Sequence, residues 1–201
     1  MYKKIKEYNF RELDRKIVSV KSIAKKFDNY GIEDLNNPFL GVLYIDADLG
    51  FSLRVFGNEN NKDMQNEYIN NTCQLVRNDC FEDLEFELYG KEIEGLDLDK
   101  HFDVYYNYPS LIKMRKIKEL DRFRHPLYPD DVQVLIPFKE KPELLWAKLI
   151  DKTEMEGLYI VSLLNESYID KELKVGTFIA CKATEIQGDD YLVIEGILEK
   201  K

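Results

Sequence analysis

Between residues 131 and 197, apolar and polar residues alternate in short runs, and each run ends at a turn signal. A period of two marks β-strands that bury one face. The runs fall at 132–138, 144–150, 157–164, 177–185 and 191–198. They are parted by turns at Lys141-Pro142, Lys152-Thr153-Glu154, 172–176 and Gln187-Gly188-Asp189. Five short strands at this spacing predict a small barrel or a strongly curved sheet. Trp146, the single tryptophan, lies on the second run with Leu144 as its same-face neighbour. That placement predicts a largely buried ring near Val134 and Leu163, and a cost of roughly 3–5 kcal/mol for Trp146→Ala.

The preceding part of the chain mixes periods. Leu13, Ile17, Val20, Ala24 and Phe27 recur three or four apart behind a capping Asn9, which predicts a helix over 10–27. Strands are expected at 39–45 and 50–56, joined by a hairpin at Asp46-Ala47-Asp48-Leu49-Gly50, and again at 84–88 and 102–106. The first is apolar throughout and predicts burial on both faces. Residues 63–76 fit a helix that Asn70-Asn71-Thr72 weakens. Tyr108-Pro109-Ser110 opens a second helix over 111–123. Its apolar residues Leu111, Met114, Ile117, Leu120 and Phe123 recur every third position, a stripe that slants across an α-helix. His125-Pro126-Leu127-Tyr128-Pro129 ends it and marks a boundary. The expected architecture is α+β: an α+β domain over 1–125, with an N-terminal helix and an antiparallel sheet, then a small β-rich, barrel-like domain over 126–201.

Charge narrows the partners. The formal net charge is −9, a field that opposes a phosphate backbone and argues against nucleic acid. Residues 1–30 carry +5, residues 31–100 carry −11 and residues 101–201 carry −3. Within the acidic stretch, Glu82, Asp83, Glu85 and Glu87 concentrate around one alternating strand, with Glu92 and Glu94 beyond it. They are the candidate surface for docking a basic protein. No apolar run approaches the ~20 residues that a membrane span needs. Three cysteines without a Cys-x-x-Cys pair suggest neither a disulfide framework nor a zinc site, so a reducing cytoplasm is the expected location.

Catalytic constellations are not evident. His101 and His125 stand outside any ligand spacing. Cys181 falls mid-strand, and Cys80 lies in an Asp-rich loop that disfavours a thiolate. Asp46-x-Asp48 offers two carboxylates, well short of a calcium site, and both suit a turn. Ser162 and Ser167 have no base near them in sequence. Phosphate-cradling and nucleophile-elbow motifs are missing, so no cofactor and no catalytic residue are assigned.

One stretch carries a resemblance: Pro142-Glu143-Leu144-Leu145-Trp146-Ala147-Lys148-Leu149, then Gly157, Leu163-Leu164-Asn165-Glu166 and Leu173-Lys174-Val175-Gly176. It resembles the bacterial domain of unknown function found in YegJ-like proteins, related to toxin-immunity-like domains. In that family a Glu-x-x-Trp strand leads to a Gly-x-Leu-x-Asn strand and a Lys-x-Gly turn. The resemblance covers roughly residues 131–197 and implies a small β-rich fold in a bacterial setting, without an activity. The leading expectation is a non-catalytic protein-binding factor of immunity-like kind. The alternative is a hydrolase or small-ligand-binding protein whose site lies in an interdomain cleft lined by His101, His125 or Cys80.

Overall fold

The computed structural model describes residues 1–22, 38–58, 74–91, 93, 102–106, 108–138 and 141–198. The chain forms two compact units, Met1–Asn107 and Tyr108–Lys201. It is an α+β protein: one unit holds an antiparallel sheet and the other a small closed barrel.

In the first unit, five strands lie in the order β4-β3-β2-β1-β5, each antiparallel to its neighbours. They are β1 (Lys16–Ser22), β2 (Phe39–Asp46), β3 (Gly50–Asn58), β4 (Gln74–Arg77) and β5 (Leu84–Leu88). The apolar run at 39–45 is buried throughout, because β2 lies inside the sheet and both of its faces are covered. Leu40, Val42 and Tyr44 pack against Phe102 on one face. The β2–β3 hairpin forms as its sequence predicts, with Asp46 Oδ1 accepting from the amides of Asp48 (2.8 Å) and Leu49 (2.9 Å).

The long N-terminal helix does not form. Asn9 does cap a helix, α1, its Oδ1 accepting from the Arg11 amide while its own amide donates to the Glu12 carboxylate, but α1 spans only Phe10–Leu13. Arg15 then takes a φ of +56°, and the chain leaves as β1. Ile17, Val18 and Val20 are β-branched, and Val18 and Val20 alternate into the core while pairing with β2 and β5. Residues 23–27 of the expected helix lie outside the described residues. The helix expected at 63–76 also falls mostly outside them, but Gln74–Arg77 is strand, paired on β3. The segment expected as a strand at 102–106 is instead a 3₁₀ turn, Asp103–Tyr106. It brings Phe102 and Tyr105 onto Tyr44, with ring centroids 4.8 and 4.6 Å away.

The second unit begins earlier than the boundary expected at 125/126. Helix α2 (Pro109–Arg115) and a 3₁₀ segment (Lys118–Phe123) replace the single helix expected at 111–123. Residues three apart align along a 3₁₀ helix, and Ile117 is extended between the two pieces. The spacing of three is met by this broken path. Met114 and Leu120 enter the barrel core, with Ile117 and Phe123 packed against it. These residues place the segment with the barrel.

Five strands close that barrel: β6 (Asp131–Ile136), β7 (Glu143–Lys152), β8 (Leu158–Leu163), β9 (Phe178–Ile186) and β10 (Asp189–Ile197). Each is antiparallel to the next. With an odd number of strands, the last must run parallel to the first, as β10 does to β6. Register shifts at Leu149/Asp151 and Ile194/Gly196 supply bends. Gln187 and Gly188, both at positive φ, make the two-residue β9–β10 turn. Inside lie Val132, Val134, Leu145, Ala147, Leu149, Val161, Leu163, Ile179, Cys181 and Leu192. Leu145, not Trp146, occupies the inward position on β7. The alternation was legible, but Trp146 is on the outer face and half-buried, while its same-face neighbour Leu144 is 47% exposed.

Candidate functional site

The strongest concentration of functional-type side chains among the described residues is along β5. Leu84 and Phe86 turn into the core, so Glu85 and Glu87 share the opposite face. Their partners in β1 are Lys21 and Ser19. Glu82 is exposed and Asp83 half-buried in the 3₁₀ segment Asn78–Asp83 that leads into β5. The Glu82 and Glu85 carboxylates hold no hydrogen bond or ion pair among the described residues. Glu87 accepts from the Met1 ammonium.

Residues 1–8 lie along the outer edge of β5. Lys3 and Phe86 exchange both main-chain bonds, at 3.0 and 2.8 Å. Tyr8 donates its hydroxyl to the Phe86 carbonyl (2.7 Å), and Lys4 Nζ donates to the Glu82 carbonyl (2.6 Å). Burial, then the carboxylates of Glu12 and Glu7, raise the Tyr8 pKa, which keeps that hydroxyl a donor. Tyr2 bonds Ser19 Oγ (2.7 Å), and Lys21 Nζ sits 3.9 Å from the Tyr2 ring centroid. Sequence reasoning missed this basic segment as part of the site. The signal was present: residues 1–30 carry +5 and residues 31–100 carry −11, so the first cations to meet the acidic strand are the chain's own.

The other candidates scatter. His125 packs edge-on against Trp146 (5.2 Å) and near Tyr128 (5.3 Å), and its Nδ1 accepts the Leu127 amide (3.1 Å). Burial lowers its pKa. Cys181 faces the barrel interior, and burial pushes its thiol up to about 12, far from a reactive thiolate. Cys80 is half-buried beside Phe81. His101, Glu92 and Glu94 lie outside the described residues. Asp46 is engaged in its turn, and no group of three His, Cys, Asp or Glu among the described residues could hold a metal ion. No helix among them is long and apolar enough to cross a membrane.

The residues that carry the resemblance fasten a loop. Glu143 Oε2 accepts from Ser167 Oγ (2.5 Å) and Oε1 from the Tyr168 amide (2.9 Å). Ser167 Oγ in turn accepts from the amides of Ile169 and Asp170, and Asn165 Oδ1 accepts from the Trp146 amide (2.7 Å). Ser167 is buried, and its hydroxyl is engaged in holding the loop that follows β8. Comparison with protein-family models, with curated proteins and with solved structures returned no match.

Proposed function

We propose that the protein is a non-catalytic protein-binding factor, immunity-like in kind, that recognises a basic partner through the β5 face. One observation carries the reading: β5 and the 3₁₀ turn before it, where the Glu85 and Glu82 carboxylates are unengaged among the described residues, already hold a basic segment of the same chain. Complementary charge of this sort raises association rates and selects partners more than it adds affinity. The resemblance of residues 131–197 supports a bacterial setting, and the cysteine usage supports the cytoplasm.

The test is affinity capture from the native host with the unaltered protein and with Glu82→Lys/Glu85→Lys, at low and high salt. A basic protein held by the unaltered chain, lost on charge reversal and eluted by salt, is the expected result. The Debye length falls from about 10 Å at 0.1 M to about 3 Å at 1 M, so salt should act steeply. A captured set indifferent to both treatments sinks the reading.

A further inference from the structure

We infer that the outer edge of β5 is a strand-addition site for an extended segment with Lys or Arg at alternate positions, and that residues 1–4 occupy it as an internal mimic. The inference rests on β5 being the partner-binding element, and adds the mode of recognition and its control.

The main-chain geometry comes first. Phe86 turns its N–H and C=O away from β1, and Lys3 takes both. Main-chain direction alternates along an antiparallel strand, so Leu84 and Leu88 turn the same way as Phe86. The Leu84 amide is already bonded to the Phe81 carbonyl. Leu88 lies past the single Lys3–Phe86 bridge with its side chain 45% exposed. The internal segment therefore pairs one residue of an edge that extends further. Open strand edges are templates for another strand, and proteins cover them for that reason.

Side-chain parity then specifies the occupant. Lys3 opposes Phe86 and so shares its face, which puts Tyr2 and Lys4 on the face of Glu85 and Glu87. The Tyr2 bond to Ser19, the β1 partner of Glu87, agrees with this. The segment brings one lysine to that side, and Lys4 reaches the Glu82 carbonyl while the Glu85 carboxylate stays unengaged among the described residues. A strand with a cation at every second residue would continue the ladder at Leu88, keep a cation opposite Glu85 and set a second one, in place of Tyr2, opposite Glu87. It would displace an occupant that is paired at one residue and carries one cation on that face.

The probe is a short Lys-Val repeat peptide, set beside the same peptide N-methylated at the amides that would face β5. Both are titrated against the full chain, the chain lacking residues 1–4 and Lys3→Pro. The proline variant removes the amide bond to Phe86 without shortening the chain. Circular dichroism selects whichever variant stays folded. The plain peptide should bind the opened variant about tenfold tighter than the full chain, because an occupied site lowers apparent affinity by its open fraction. It should also slow hydrogen exchange at the Leu88 amide, and the methylated peptide should do neither. If the two peptides bind alike, the attraction is charge alone; the partner-binding reading then stands and strand addition falls. If neither binds any of the three proteins, both fall.

Discussion

Trp146 shows how one residue's side of a strand decides its energetics. It sits outside the barrel against His125, whereas Leu145 beside it is 1% exposed in the core. The cost expected from sequence for Trp146→Ala therefore passes to its neighbour. Leu145→Ala should cost about 2–5 kcal/mol, and Trp146→Ala about 1–2 kcal/mol, as suits a half-covered ring. Denaturant midpoints of the two variants measure the order, and a larger loss for Trp146→Ala would put the ring in the core after all. The same ring reports on His125. Burial lowers the histidine's folded pKa below its unfolded value of about 6.5, so the unfolded chain takes up a proton first as pH falls. Stability contributed by the neutral ring is present above about pH 6.5 and declines as pH drops toward the folded pKa. Tryptophan-monitored unfolding across that window should show stability rising with pH, and His125→Phe should flatten that slope. An unchanged slope in the variant would assign it to other groups.

At the scale of elements, residues 13–20, which run from the end of α1 into β1, admit two periods. Leu13, Ile17 and Val20 suit a helix face, and Val18 and Val20 suit a strand. Pairing on both sides, to β2 and β5, settled it, and single-segment periodicity does not register those partners. The acidic strand fared differently: Leu84 and Phe86 against Glu85 and Glu87 was readable because one face is buried and the other is not. What closes over that strand was not readable, since Lys3 and Phe86 meet only through the fold. Gly41 tests how tightly the central pairing is drawn. A Cβ there would lie 2.7 Å from the Arg54 carbonyl oxygen and 2.7 Å from Leu53 Cδ1, next to the register shift at Leu40/Gly41. The obstructing oxygen is main chain and cannot swing aside, so Gly41→Ala should destabilise by about 1–3 kcal/mol. A melting midpoint equal to that of the parent would show that the strands can part there without cost.

For the molecule as a whole, the barrel was the most legible part, because five alternating runs are parted there by four turn signals. The division between units was not. The prolines after His125 suggested a boundary that packing does not respect. Arg115 on α2 holds Asp130 in a two-bond pair (2.9 and 2.6 Å), with both residues nearly inaccessible. Arg124 binds the Met114 carbonyl (2.6 Å), and Met114 and Leu120 are fully buried in the barrel's core. Cutting at 125/126 would leave the Asp130 carboxylate buried without its cation, a loss of about 3–5 kcal/mol. Removing Met114 and Leu120 would open the core at about 2–5 kcal/mol apiece. Against a total stability of about 5–15 kcal/mol for a domain, the fragment 126–201 should not hold its fold. The fragment 108–201 keeps each of these contacts and should unfold cooperatively on its own. Thermal melts of the two fragments, followed by circular dichroism, separate the cases. Equal midpoints would mean that α2 and the 3₁₀ segment only decorate the barrel, and would return the boundary to the prolines.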